Sequence, residues 1–177
     1  ATPAQNSPEL EKHLFYSGYP GFDNEWINYN KSMNNNSDDG KTRVLYIGRK
    51  FLDKNTNRPN GYDFVTMDYD DVLSELNMIH DSLVANSCDY LFVYKPHPSS
   101  NSVLVEKVLG ESDINSYRIV NDASYSFLRY VDLVISPYST ALFVFVISGI
   151  PTIVLRSKMT NEISERWSVL GDLYCGL

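Results

Sequence analysis

The chain has 177 residues, which is enough for one domain of ordinary size. Hydrophobic residues make up 43% and charged residues 21% of the sequence, so the chain can form a packed core. A net charge of −7 argues against a general role in coating nucleic acid or an anionic membrane, because both require a positive surface. A local basic site for a small anion remains possible.

The first 42 residues are predicted to form a crossover or linker segment ahead of a folded domain at residues 43–177. The opening stretch, Ala1–Phe15, has neither the basic start nor the apolar middle of a signal peptide. We therefore expect that the chain is a fragment of a longer protein. Trp26–Gly40 is rich in Asn, Ser and Asp and is interpreted as a linker or flexible loop. Cys88 and Cys175 lack metal or redox spacing, which favours free thiols in a reducing compartment such as the cytoplasm.

From residue 43 onward, strand signals alternate with helical ones. The predicted strands are Val44–Ile47, Asp89–Tyr94, Tyr117–Val120, Leu133–Ile135 and Thr152–Leu155. The predicted helices are Asp68–Asn86, Val103–Leu109, Ala123–Tyr130, Ala141–Ser148 and Thr160–Leu170. This alternation predicts an α/β fold: a Rossmann-like, doubly wound parallel sheet with helices on both faces.

The longest uncharged run extends from Leu133 to Leu155, 23 residues in all. That length is sufficient for a membrane-spanning helix. Pro137, Gly149 and Pro151 interrupt the run, however, and divide it into a buried strand, a polar turn, a short apolar helix and a second strand. We therefore predict no transmembrane segment here.

Three polar motifs follow predicted strands: Gly48–Lys50, Lys95–Pro98 and Ser136–Thr140. Because all strands of a parallel sheet end at one edge, the motifs should meet there. Cationic groups, an imidazole, hydroxyls and helix N-terminal amides would form a site for a phosphate or diphosphate. The candidate binding residues are Arg49, Lys50, Lys95, Pro98, Ser136, Tyr138, Ser139 and Thr140, and the candidate catalytic residue is His97. No metal site is predicted.

Each motif also has a simpler interpretation. Arg49 and Lys50 could be solvated loop charges, and His97 could be a surface residue. Ser139 and Thr140 could be an ordinary helix cap.

The order of three segments resembles a known family. YKPHP at Tyr94–Pro98, DLVISPYSTALFVF at Asp132–Phe145 and GIPTIVL at Gly149–Leu155 resemble the C-terminal half of GT-B-fold transferases. The pattern is similar to bacterial CDP-glycerol glycerophosphotransferases of teichoic acid synthesis, and sialyl- and polysialyltransferases share its His-Pro and Ser-Ser/Thr motifs. SGYPGFD at Ser17–Asp23 resembles the family's interdomain crossover, and RVLYIGRKFLD at Arg43–Asp53 resembles the first strand of its nucleotide-binding half.

By this resemblance, His97 would contact the donor's phosphate and protonate the leaving group, and Ser139 and Thr140 would hold that phosphate. The donor would be CMP-, CDP- or UDP-linked, with no further cofactor, and the enzyme would be cytoplasmic or peripheral at the inner face of the membrane. The acceptor-binding N-terminal half would be missing from this chain. Pro137 replaces the family's aspartate before the Tyr-Ser pair, and Val144 replaces an acidic residue in the following helix, which leaves the donor's identity open.

The resulting hypothesis is the donor-nucleotide-binding domain of a transferase that builds a bacterial surface polysaccharide, such as capsule, teichoic acid or lipopolysaccharide. One alternative is a nucleotide-sugar 2-epimerase-like enzyme domain, which would need carboxylates near the sugar. The other is a degenerate domain that binds only partner proteins.

Overall fold

The computed structural model describes residues 23–32, 40–54, 56, 66–137 and 139–155. Its strands are β1 (Thr42–Ile47), β2 (Phe51–Leu52), β3 (Met67–Asp68), β4 (Tyr90–Lys95), β5 (Tyr117–Ile119), β6 (Leu133–Pro137) and β7 (Thr152–Leu155). Its α-helices are α1 (Asn24–Ser32), α2 (Tyr69–Ala85), α3 (Ser102–Glu111) and α4 (Phe143–Ile147). Two 3-10 helices cover Ser124–Arg129 and Thr140–Leu142.

Five strands form the main sheet in the order β5-β4-β1-β6-β7, and every pairing is parallel. In the register, Ile47 lies opposite Lys95, and Tyr46 lies opposite both Tyr94 and Ile135. From β1 the chain moves outward in one direction to β4 and β5, then returns to the other side of β1 for β6 and β7. The five strands lie where the sequence predicts them, and the fold is the doubly wound α/β fold expected from their alternation with helices.

The strands are nearly continuous apolar segments because helices cover both faces of the sheet. One face packs against α2 and α3, and Val44 of β1 and Phe92 of β4 lie within this core. The other face packs against the helical segments on either side of β6, and Leu45 of β1 and Val134 of β6 lie there. Neighbouring strand residues therefore enter different layers, as the two-residue period of a strand requires.

Helix α2 follows its predicted apolar stripe. Val72, Leu76 and Ile79 are buried, and the more distal Leu83 is half-buried against the same core. Asp68 occupies the N-cap position in extended conformation, and Asp70 and Asp71 lie in the first turn, where carboxylates complement the helix dipole.

The uncharged run divides as predicted, with one difference. The segment between β6 and β7 begins as a 3-10 turn at Thr140–Leu142 and continues as the five residues of α4, so its α-helical part is shorter than the predicted helix Ala141–Ser148. Gly149 ends it with φ +72°, a conformation that favours glycine. Within the described part of the chain, no helix is long and apolar enough to cross a membrane.

Part of the predicted linker Trp26–Gly40 is a helix, so that interpretation was wrong for α1. The Asp23 carboxylate accepts hydrogen bonds from the amides of Glu25 and Trp26 at 2.8 and 3.1 Å and caps the helix. Ile27 and Asn30 are buried, and α1 packs on the 3-10 helix at residues 124–129. Tertiary packing thus overrides a loop-like composition.

Two further differences are local. The predicted helix Ala123–Tyr130 is a 3-10 helix, and the paired short strands β2 and β3 were not predicted. The predicted helix Thr160–Leu170, and the crossover-like segment Ser17–Asp23 apart from its last residue, lie outside the described residues.

Candidate functional site

The three polar motifs follow three adjacent strands. β1 lies between β4 and β6 in the parallel sheet, so Gly48, Pro96 and Ser139 all leave the sheet at its carboxyl edge. The strand order reverses at β1, because β4 and β5 lie on one side of it and β6 and β7 on the other. Open α/β sheets bind ligands outside the strand ends at such a switch point. The convergence expected from the sequence is therefore present.

Gly48 packs closely against Tyr94 at this edge. Its amide donates to the carbonyl of Lys95 at 2.8 Å, and a Cβ on Gly48 would lie 2.5 Å from the hydroxyl of Tyr94. Only glycine fits between the end of β1 and the buried Tyr94 ring. This packing sets the path of the residues that follow Gly48.

Arg49 and Lys50 are not ordinary solvated loop charges. Arg49 is only 7% exposed and Lys50 is half-buried. The Lys50 carbonyl accepts a hydrogen bond from the amide of Met67 at 3.0 Å, which joins this loop to β3 and the start of α2. A buried guanidinium in a loop held from both sides is well placed to be a fixed anion ligand.

Lys95 is the last residue of β4 and is half-buried. Burial lowers the pKa of its ammonium group from the ordinary value, and the Asp122 carboxylate offsets part of that effect.

His97 and Pro98 are exposed, two and three residues beyond the strand. The Nδ1 atom of His97 lies 2.9 Å from the Ser99 hydroxyl and accepts a hydrogen bond from the Ser99 amide at 3.2 Å. An acceptor at Nδ1 favours the neutral tautomer that carries its proton on Nε2. His97 can therefore present an N–H donor to a ligand, with the ring oriented by its neighbour.

The residues of the third motif, Ser136–Thr140, differ in burial and in their contacts. Ser136 is fully buried, and its hydroxyl lies 2.8 Å from the carbonyl oxygen of Ile47, across the switch point, and 2.6 Å from that of Pro137 in its own strand; its single proton can be donated to either. Ser139 caps the 3-10 turn, with its hydroxyl oxygen accepting from the Ala141 amide at 3.3 Å, and Thr140 is exposed. Tyr138 lies outside the described residues.

The capping interpretation of Ser139 is thus realised in the structure. A capping hydroxyl still carries a proton that it can donate to a phosphate oxygen. Ser136, in contrast, ties the ends of β1 and β6 together, and its part in ligand binding stays a prediction.

Two acidic residues of this region were missed by sequence reasoning. Asp122 follows β5 and interacts electrostatically with Lys95. Glu75, on α2, is only 8% exposed, and the Tyr46 hydroxyl donates to its Oε2 at 2.8 Å. Position 75 lies three residues after Val72 and four before Ile79, so the helical period itself places Glu75 on the buried side of α2. An acidic residue at such a position is a signal that sequence reasoning could have used.

The buried carboxyl group of Glu75 has an unusual pKa. Burial raises it from 4.5 to about 7; the Tyr46 hydrogen bond and the Arg49 charge act in the opposite direction, and Asp71 adds to the rise. Its Oε1 atom and the Tyr94 hydroxyl are buried with no hydrogen-bond partner among the described residues. In the described ranges, no cluster of three or more His, Cys, Asp or Glu side chains could hold a metal ion.

The two departures from the family pattern occupy buried positions. Pro137 ends β6, opposite Leu155 of β7. Val144 packs in the apolar core beneath the sheet. These positions therefore contribute packing, and an ionised side chain at residue 144 would need a partner within that core.

Comparisons with known proteins give a limited result. No protein-family model and no curated protein matches the chain. Solved structures of the wall teichoic acid polymerase TagF are similar to it. A histidine-to-asparagine variant of TagF matches with 23% identity and a TM-score of 0.44 over 81% of this chain, and another TagF structure matches with 19% identity and a TM-score of 0.37 over 87%. The chain spans 34% and 32% of those two chains, about a third of their length.

Proposed function

We propose that this chain is the donor-nucleotide-binding domain of a GT-B-type transferase that acts in bacterial surface polysaccharide synthesis. The observation that carries the proposal is the meeting of three polar loops at the carboxyl edge of three adjacent parallel strands, on both sides of the switch point. The motif resemblance to glycerophospho- and sialyltransferases supplies the reaction class.

In the proposed site, the donor's phosphates lie above the ends of β4, β1 and β6. Arg49, Lys50 and Lys95 supply positive charge, and His97 and Ser139 supply hydrogen-bond donors. The strand axes of β4 and β6 are separated by β1 and hence by roughly 10 Å, so a diphosphate fits the gap when the side chains reach inward. The partly buried cations would be screened by water less than surface charges are.

The proposed reaction breaks the bond between the transferred sugar or glycerophosphate and the nucleotide. The acceptor hydroxyl forms the new bond and loses its proton to a base outside this chain, and the nucleotide leaves with the bonding electron pair. Negative charge that builds on the leaving phosphate is stabilised by the cations and donors of the site. His97, when protonated, supplies the proton to the leaving oxygen as a general acid. The acceptor and its binding half would come from another part of the enzyme.

The proposal is tested by calorimetric titration with CMP, CDP, UMP and UDP. We expect weak pyrimidine-nucleotide binding whose affinity rises with the number of phosphates. Equal failure of all four nucleotides at millimolar concentration would rule the proposal out and favour a degenerate domain that binds only proteins.

Variants test whether His97 and the Ser139 turn share one phosphate. His97→Ala, and Ser139→Ala combined with Thr140→Ala, should each weaken binding by about 1–3 kcal/mol, the usual size for a hydrogen bond to a charged group. When the changes are combined in one protein, the loss of binding free energy should be less than the sum of the separate losses, because groups that share a ligand atom are not independent. Ser82→Ala, on the exposed C-terminal part of α2, is the matched control and should leave affinity unchanged.

The position of Asp122 favours the epimerase-like alternative, so a variant of this residue is included in the test. An epimerase-like domain needs a carboxylate near the sugar, and Asp122 lies at the same edge as Lys95. Asp122→Asn should leave nucleotide affinity within about twofold if the site binds only phosphate and base, since Asp122 would then act on the site only through its charge interaction with Lys95. A loss confined to nucleotide sugars, with free nucleotides unaffected, would support the epimerase-like alternative.

A further inference from the structure

Beneath the proposed phosphate site lies a buried polar cluster that the proposed reaction does not use. Tyr46 and Tyr94 are partners in the β1–β4 register, with ring centroids 5.3 Å apart, and both are fully buried. Both rings lie on the face covered by α2, which contributes Glu75. The Tyr94 hydroxyl comes up under Gly48, so the cluster lies directly below the loop that carries Arg49.

Charge and burial are unusual in this cluster. Glu75 and Arg49 are both more than nine-tenths buried, and their charges interact. The other groups that face the Glu75 carboxyl are the hydroxyls of Tyr46 and Tyr94 from the sheet and, on its own helix, Asp71. One oxygen of Glu75 has a hydrogen bond from Tyr46, whereas Oε1 has no such partner among the described residues. A fully ionised carboxylate would be costly in this setting.

We propose that Glu75 lies directly beneath the phosphate site and shares the Arg49 guanidinium with the donor's phosphate. When the phosphate binds, the Glu75 carboxylate takes up a proton from solvent. This inference rests on the proposed function of the site. An arriving phosphate adds negative charge beside a carboxylate that is already poorly solvated, and its ionised form becomes still less favourable. With a pKa of about 7 before binding, Glu75 is about half ionised near neutral pH and can take up that proton.

The sign of the linkage follows from the direction of proton transfer. A ligand whose binding takes up a proton binds more tightly as the pH falls, because linkage between the two is reciprocal. Between pH 8.5 and 7, the affinity of wild-type protein for CDP should rise about three- to tenfold. The phosphate of CDP stays mostly doubly ionised over that range, since its second pKa is near 6.

The decisive measurement is carbon-13 NMR of the Glu75 carboxyl group, assigned by comparison with Glu75→Gln. Its titration midpoint should lie near 7 in the free protein and move upward with saturating CDP or inorganic pyrophosphate. Glu75→Gln should bind CDP more tightly than wild type at pH 8.5 and about equally at pH 6. Its affinity should stay nearly constant between pH 8.5 and 7, where the CDP phosphate is mostly doubly ionised. Glu106→Gln removes the same charge from an exposed position of α3 and should keep the wild-type profile.

The outcomes separate the inference from the proposed function. If CDP binds and the Glu75 resonance does not respond, the inference is wrong and the proposed function stands. If pyrophosphate shifts the resonance but CDP binds no more tightly than pyrophosphate, the nucleotide proposal fails and the proton linkage stands. A free-protein midpoint near the ordinary 4.5, or no response to either ligand, overturns the inference. A purely structural Glu75 would give weaker binding in Glu75→Gln at every pH.

Discussion

The two faces of the main sheet bury different chemistry. Every fully buried member of the cluster under β6, including Leu45, Phe127 and Phe145, is aliphatic or phenylalanine. The opposite face, under α2 and α3, buries Tyr46, Tyr94 and the carboxyl group of Glu75. The apolar face gains stability from every group it buries, whereas the polar face gives up some of that gain directly beneath the proposed site. Both faces hold an apolar core, and the α2–α3 core contains Val44, Leu76 and Phe92. The comparison therefore indicates that buried polar groups are concentrated on the face that lies beneath the proposed site.

The apolar face should show the largest loss of stability. Phe145 is fully buried in α4, so Phe145→Ala should lower the free energy of unfolding by about 3–5 kcal/mol through lost burial and an unfilled cavity. Ile147→Ala in the same helix is the control, because that side chain is 47% exposed and should cost much less. Urea denaturation measures both, and equal losses in the two variants would contradict the burial of Phe145 in the core of this face.

On the polar face, replacing the buried carboxyl group of Glu75 should raise the free energy of unfolding at alkaline pH. Because the pKa of Glu75 is raised from 4.5 to about 7, its contribution to stability is fully present below pH 4.5 and is lost as the pH rises through 7. Glu75→Gln keeps the size and an acceptor for Tyr46 but cannot ionise, so at pH 8 it should stabilise the fold by up to about 3 kcal/mol. At pH 5 the gain should fall below about 1 kcal/mol.

Denaturation of wild type and Glu75→Gln across this pH range measures the difference. A variant that is less stable than wild type at pH 8 would show that the ionised carboxylate stabilises the fold, and the contrast between the faces would then disappear.

Gly48 lies where the polar face meets the site. Gly48→Ala would place a methyl group 2.5 Å from the hydroxyl of the rigid, buried Tyr94 ring, so we expect a loss of about 1–3 kcal/mol from forced displacement. Tyr94→Phe removes the nearest atom and should recover part of that loss when combined with Gly48→Ala. Independent, additive costs in the double variant, measured by thermal unfolding, would show that the two residues do not compete for the same space.

The sequence predicted the framework of this molecule well, for physical reasons. The apolar run Val44–Ile47 is a local pattern that a strand buried on both faces of a parallel sheet requires. The stripe through Val72 and Leu76 is the local pattern of a helix that packs on that sheet. The alternation of strands and helices predicts a parallel sheet, and all strands of such a sheet end at one edge, so the sequence was enough to predict that the polar loops meet there.

Long-range contacts could not be predicted in the same way. Helix α1 depends on the burial of Ile27 against a segment about a hundred residues later, and composition alone suggests a loop there. Glu75 is recognised as part of the site only through Tyr46, which is 29 residues away. The charge of Arg49 likewise interacts with Glu75 of α2, and the sequence alone does not show that these two residues meet.

The smallest expected effect on stability concerns His97, at the edge between the two faces. Its side chain is exposed, and among the described residues it forms hydrogen bonds only with Ser99, two residues away. His97→Ala removes no buried surface and no contact between distant elements, so the free energy of unfolding should change by less than about 0.5 kcal/mol. Urea denaturation and CDP titration of the same sample separate folding from binding. Unchanged stability with weakened CDP binding would assign His97 to the binding site. If the free energy of unfolding instead falls by more than about 2 kcal/mol and the affinity per folded molecule is unchanged, His97 is structural. The distinction between stabilising faces and a binding edge would then be wrong.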